Sequence, residues 1–274
     1  MLPFFPTRND HKSQKPMSID FDVDGDGVAL ITMNRPERMN ALDAEHYAAL
    51  SQCWTMVRDD PQIRVAVVTG AGEKSFTAGA DLKSFVNKQP PISENWLTQK
   101  DQILNRGLEV WKPIISAING YCLGGGMTLM MATDIRIAVD EATFGLSEVK
   151  RGLVPGNGGT QRVMQQFPYA IAMEILLSGD RFGTDLAERW GLVNAVVPRD
   201  KLMDTAMEHA KRIAANAPLA VQAAKELAIR SYDMDLQTGL RWEAATNRML
   251  RFTKDLDEGT KAFAEKRPPN FKGE

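Results

Sequence analysis

Cysteine and histidine are both scarce in this chain, and their scarcity removes whole classes of chemistry. Two of the 274 residues are cysteine. Cys53 and Cys122 form no CxxC pair and lie in apolar segments, so buried thiols are expected rather than a disulfide framework. The three histidines, His11, His46 and His209, fit no HExxH or other metal-ligand spacing. Neither sign of charge is in excess. A formal net charge of -2 gives no broad positive field to draw nucleic acid or an anionic membrane. No paired aromatic motif supports RNA recognition. No apolar run reaches the length that crosses a bilayer. The opening MLPFFPTRNDHKSQKPM lacks the order of a secretory signal, so a reducing, cytoplasmic setting is expected. No GxGxxG opens a helix after the first strand, which argues against a dinucleotide fold.

What is present suits a large α/β domain: 43% of residues are hydrophobic and 25% charged. Residues 1–17 read as a loose arm. GVALITM (27–33) is β-rich, and Asp43 or Asn40 is placed to cap a helix carrying Leu42, Tyr47, Leu50, Cys53, Trp54 and Val57. IRVAVVTG, KPIISAING and DIRIAV are apolar on both alternating faces and predict buried strands. A helix is expected through Leu104 and Leu108, and KQPPISEN (88–95) reads as an exposed loop. Beyond Tyr169 the pattern is mostly helical. Alternation in residues 18–200 followed by helices in 201–274 predicts an α/β core with a helical C-terminal region. No internal repeat is visible.

Within that core, NGYCLGGGMTLMMATD places Gly124, Gly125 and Gly126 directly before an apolar helix. Glycines permit close backbone approach, and the first N–H groups of a helix have no acceptor within it. FTAGAD, which follows another core strand, offers a second glycine turn and the Ala80 N–H. Two N–H groups from separate turns, Ala80 and Gly125, make a plausible oxyanion hole, which polarises a carbonyl without metal or titrating side chain.

These motifs, with VALITMNRPERMNALD, FGLSEVKRGLVPGNGGTQR, AMEILLSGDRFGTDLAERWGLVNAVVP and GTKAFAEKRPPNFKG in order over about residues 27–273, resemble the enoyl-CoA hydratase/isomerase (crotonase) superfamily. The resemblance implies a spiral core of ββα units and a helical C-terminal region serving trimerisation and pocket cover. It implies an acyl-CoA thioester substrate, with coenzyme A as its carrier and no redox or metal cofactor. A homotrimer or dimer of trimers is implied, with neither nucleic acid nor membrane as partner. The oxyanion hole maps to the Ala80 and Gly125 N–H groups.

Glu148, in FGLSEVKRG, matches a catalytic glutamate of the hydratases. Where two-glutamate hydratases carry the second, in GGGxE, this chain has Thr128, which does not ionise near neutral pH. Reversible hydration of a 2-enoyl-CoA with Glu148 as acid and base is the leading expectation. Single-base Δ3-to-Δ2 isomerisation, decarboxylation, carbon–carbon cleavage and non-catalytic acyl-CoA binding stay open beside it. A dienoyl isomerase is disfavoured because its extra acid would match Gly156. Lys74, Lys83 and Lys266 resemble family lysines near the CoA phosphates. Arg38 stands beside Glu37, which replaces another such lysine, and Arg267 is a secondary candidate. Arg35, Asn40, Asn119 and Asp81 are expected to organise turns. Acyl specificity is expected from the loop between Phe85 and Trp96, and Met127, Met130 and Met131 either line the pocket or pack the core, with packing favoured for at least two.

Overall fold

Side chains that branch at Cβ favour extended backbone, and in this chain they cluster in short runs. The computed structural model describes residues 19–85 and 103–274. The expected N-terminal arm and most of the expected specificity loop, including Trp96, lie outside the described residues. The strands are Ile19–Val23 (β1), Val28–Met33 (β2), Val65–Gly70 (β3), Ser75–Thr77 (β4), Ile114–Ile118 (β5), Tyr121–Leu123 (β6), Ile135–Val139 (β7), Thr143–Gly145 (β8), Arg181–Gly183 (β9) and Ala195–Val197 (β10).

They form two sheets. The larger runs β1-β2-β3-β5-β7-β10 and the smaller β4-β6-β8-β9. From β2 to β10 the larger sheet is parallel, and β1 joins it antiparallel. Every residue of β3 and of β5 is buried, as a parallel sheet covered on both faces requires. The helix Leu202–Ala214 packs on β3, β5 and β7. Its buried Leu202, Ala206, Ala210 and Ala214 recur every fourth residue, so one narrow stripe, alanine after Leu202, meets the sheet.

From β3 to β8 the chain alternates between the sheets: β3, β5 and β7 go to the larger, and β4, β6 and β8 to the smaller. That is the spiral of ββα units. It is a repeat of geometry rather than residue identity, which is why the sequence shows none.

Several local expectations are corrected. Leu42 precedes the helix Ala44–Asp59, which Asp43 caps through Glu45 N and His46 N. Leu42 instead makes an isolated parallel bridge with Ala80. The helix expected through Leu104 and Leu108 is, among the described residues, a single 3-10 turn, Leu104–Arg106, ended by Gly107 at φ 93°. β1, β6, β8 and β9 were not foreseen; three of them have only three residues, too few to establish a period.

Beyond Ala214 the helices Pro218–Arg230, Leu236–Leu250 and Lys254–Glu265 follow. No residue of the first two is buried, and Phe252 and Phe263 are 91% and 88% exposed. Among the described residues no helix is long and apolar enough to cross a membrane.

Candidate active site

β4, β6 and β8 are neighbours and run parallel, so their carboxyl ends open at one edge of the small sheet. Ala78-Gly79-Ala80 leaves β4, Gly124-Gly125 leaves β6, and Leu146-Ser147-Glu148 leaves β8. Crevices at the carboxyl ends of parallel strands are where α/β folds commonly bind ligands. A cavity of about 350 Å³ lies here, and Tyr47, Ala80, Gly125, Thr128 and Glu148 are in its wall.

The glycines are demanded by the approach of two turns. Gly79 has φ +84°, and a Cβ there would lie 2.6 Å from Gly125 N and 2.8 Å from Leu123 O. Gly124, at φ 53° and ψ -119°, occupies backbone space hostile to other residues. A Cβ on Gly125 would stand 3.4 Å from Ala80 N, and one on Gly126 would collide with Thr77 O. The Ala80 and Gly125 N–H groups are therefore close together, and neither has an acceptor among the described residues. Leu42 fixes the first turn from both sides: its N–H donates to Gly79 O at 2.8 Å, and Asp81 N–H donates to Leu42 O at 2.9 Å. Arg35 clamps the same turn, reaching Asp81 at 3.1 Å, Asp43 at 3.3 Å and Ala41 O at 3.2 Å. Asn40 donates to Ala71 O and Ser75 O, and Asn119 to Gly70 O and Gly72 O.

Glu148 begins the 3-10 turn Glu148–Arg151. Its Oε1 lies 3.2 Å from where a Gly124 Cβ would be, and Oε2 is buried without a hydrogen-bond partner among the described residues. Burial pushes its carboxyl above the ordinary 4.5, opposed by its own backbone N–H and by the Arg151 charge. Ser147 anchors the turn by donating to Gly179 O at 2.9 Å.

Thr128 is buried, with both hydrogen-bonding roles in use. Its hydroxyl donates to Gly125 O and accepts from Asn105 Nδ2, each at 3.0 Å. Asn105 is held in turn by Arg162, which donates to its carbonyl at 3.2 Å. The sequence reading missed Asn105, because only the fold brings its turn against the glycine helix.

Tyr47 was read as a core position, yet its hydroxyl lies 3.2 Å from the position of a Gly125 Cβ. Burial raises its pKa; the Arg106 guanidinium, 5.7 Å from its ring centre, lowers it, and Glu148 raises it.

The four cations assigned to CoA are not in the cavity wall. Arg38 ends the turn Pro36–Arg38, Lys74 lies between β3 and β4, and Lys83 follows the Ala80 turn; all three are exposed. Lys266 is exposed at the end of Lys254–Glu265, with φ 54°. Arg267 is engaged by Glu258 and Glu265. Met127, Met130 and Met131 are all buried in the core, and the cavity's apolar wall includes Leu123, Leu153 and Val154 instead. Cys122 is buried and its thiol pKa is pushed upward by that burial. Among the described residues no group of three or more His, Cys, Asp or Glu is placed to hold a metal ion.

Residues 24–274 match a family model described as enoyl-CoA hydratase/isomerase. The chain is 47% identical over 250 residues to (E)-benzylidenesuccinyl-CoA hydratase of Thauera aromatica, a match covering 90% of this chain and 96% of that one. It is 39% identical over 252 residues to carnitinyl-CoA dehydratase of Escherichia coli, covering 89% and 94%. Among solved structures it superposes on enoyl-CoA hydratase from Bacillus anthracis with TM-score 0.87 and 37% identity, covering 94% of this chain and 100% of that one. The corresponding enzyme from Mycobacterium tuberculosis gives 0.85 and 35%, with the same coverage.

Proposed function

The chain belongs to the enoyl-CoA hydratase/isomerase family, whose enzymes act on CoA thioesters, and from that membership we propose reversible hydration driven by a single carboxylate. It is an acyl-CoA-processing enzyme of hydration and dehydration chemistry, with CoA as the substrate's carrier. In our reading the thioester oxygen accepts hydrogen bonds from Ala80 N–H and Gly125 N–H. The Glu148 carboxylate takes a proton from water as the water oxygen bonds to C3 of the 2-enoyl group. The C2–C3 π electrons move toward the carbonyl, and the resulting enolate oxygen is held by the two N–H groups. Glu148 then returns its proton to C2, and dehydration reverses these steps. One such N–H donor is worth about 2.7–4 kcal/mol in related acyl chemistry.

The observation that carries this reading is the buried Glu148 Oε2 beside two N–H groups, none of the three with a hydrogen-bond partner among the described residues. A carboxyl with a raised pKa is better matched to moving protons near neutral pH. Glu148→Gln is expected to lower turnover of a 2-enoyl-CoA by about 10²-fold or more, read by product mass spectrometry. Unchanged single-turnover rates would remove Glu148 from this role.

One observation favours a second reading. The Thr128 hydroxyl is committed on both sides, leaving a single base, which suffices for Δ3-to-Δ2 isomerisation. Incubation in labelled water separates the two, because only hydration places solvent oxygen in the product.

Arg38, Lys74, Lys83 and Lys266 are proposed to meet the CoA phosphates, Lys266 from a neighbouring subunit. Residues 18–200 are proposed as the acyl-CoA-binding core, and 201–274 as the region for assembly and pocket cover. A homotrimer or dimer of trimers is supported by the open apolar side chains of Phe252 and Phe263. The unpaired, buried cysteines support a reducing, cytoplasmic setting.

A further inference from the structure

The wall of the active-site cavity carries more positive charge than hydration needs. Arg151 and Arg181 both line it. They also line a second cavity of about 330 Å³, which shares Ser147 with the first. Each cation has a distinct tether. Arg151 lies on the Glu148–Arg151 turn and donates to Ser147 O at 3.2 Å. Arg181 stands opposite Gly145 in the β8–β9 pairing. The missing Gly145 side chain leaves room for its stem, since a Cβ there would lie 3.2 Å from Arg181 Cγ.

Their neighbour Lys150 is neutralised by Asp180. Neither Arg151 nor Arg181 forms a salt bridge with a carboxylate among the described residues: the Arg151 charge acts on Glu148 without a direct ion pair, and Arg181 stands over the Tyr121 ring, 5.7 Å from its guanidinium carbon. Two guanidiniums without a salt bridge among the described residues therefore flank an acyl site whose remaining wall includes the apolar Leu153 and Val154. Guanidinium is the side-chain group best shaped to bind a carboxylate by two parallel hydrogen bonds.

We propose that the acyl group itself carries a carboxylate, so that the substrate is the mono-CoA thioester of a dicarboxylic acid, held by Arg151 and Arg181. This rests on the thioester lying between Ala80 and Gly125, as proposed above. Placed there, the acyl part occupies the arginine-lined cavity, while the long pantetheine arm carries the CoA phosphates away from it. Arg151 and Arg181 are specificity residues in this scheme, and they disfavour an acyl group that ends in a cation.

The test uses unreactive saturated ligands, so that binding is read apart from turnover. Calorimetry compares succinyl-, glutaryl- and adipyl-CoA, each with its methyl ester, on the intact enzyme and on Arg151→Met, Arg181→Met and the double variant. For at least one chain length the wild type should bind the acid about tenfold tighter than the ester, as one charge-assisted contact allows. The double variant should bring that ratio within about twofold of unity, and Arg181→Glu should turn it toward the ester. Arg58→Gln, which alters an exposed arginine paired with Asp59, should keep the wild-type ratio. Equal affinities for acid and ester in the wild type would overturn the proposal, as would a preference that survives the double variant. So would equal losses for acid, ester and free CoA, which would assign the arginines to the phosphates. Tight binding of acyl-CoA without discrimination defeats this inference alone, whereas full turnover by Glu148→Gln defeats only the mechanism above.

Discussion

Placing a methyl group on Gly79 tests whether the two turns act as one device. At Gly79 the new Cβ would sit 2.6 Å from Gly125 N, whereas ordinary contact begins at 3.4 Å, so the turns must part by roughly 0.8 Å. An oxyanion bonded to both N–H groups at about 2.9 Å cannot keep both contacts after such a shift. Losing one donor costs about 10²–10³ in kcat. The φ of +84° adds backbone strain of its own, of order 1–2 kcal/mol. Gly191→Ala separates the two effects: it has φ +70° but nothing within 4 Å of its Cβ position. Both variants should lose stability in thermal unfolding, and only Gly79→Ala should lose kcat. The assay is steady-state turnover of a 2-enoyl-CoA on protein whose circular dichroism matches the wild type. A folded Gly79→Ala enzyme with kcat within about fivefold of wild type would refute the pairing of Ala80 and Gly125.

Two further predictions follow from the carboxylates. Thr128→Glu should raise hydration by about tenfold where the new carboxylate reaches water, at a stability cost of about 1–3 kcal/mol for the displaced Asn105 and Gly125 bonds; a folded variant without gain would show that this side chain alone does not limit the reaction. Glu148 has a folded-state pKa above 4.5, so its protonated form favours the fold below 4.5 and that contribution is lost as pH rises through the raised value. Glu148→Gln should therefore melt higher than wild type near neutral pH, with the difference closing under acid. Wild-type hydration should climb over the same window as the base ionises, and a melting difference independent of pH would oppose the assignment of a raised pKa.

The large sheet, β1 apart, was legible because β3 and β5 are mostly apolar on both alternating faces, with Thr69 and Ser116 their polar members. Most of the small sheet was not, although it frames the candidate site, because strands of three residues leave no period to detect. Its strand ends were instead announced by glycines, whose need arises from contacts such as Gly79 against Gly125. Glu148 and Thr128 were recognisable only through the surrounding motif. Tyr47 hid among the apolar positions of its helix, and Leu42 shared that spacing while belonging to the Ala80 bridge. Asn105, Arg151 and Arg181 lacked any signal in the chain, since their significance lies in which turns meet. The three glycine-helix methionines offered two readings, and complete burial decides for packing.

The parallel ends of β4, β6 and β8 divide their labour along a chemical boundary. On the proposed mechanism two contribute only amide hydrogens, which every residue except proline possesses, and the third contributes a side chain. Substitution can therefore rewrite the proton chemistry while the apparatus that polarises the carbonyl survives, provided the glycines that seat it are kept. Thr128, which the family resemblance sets against the second glutamate of GGGxE hydratases, is on this reading an instance of that latitude, and the same scaffold offers an engineer two independent dials.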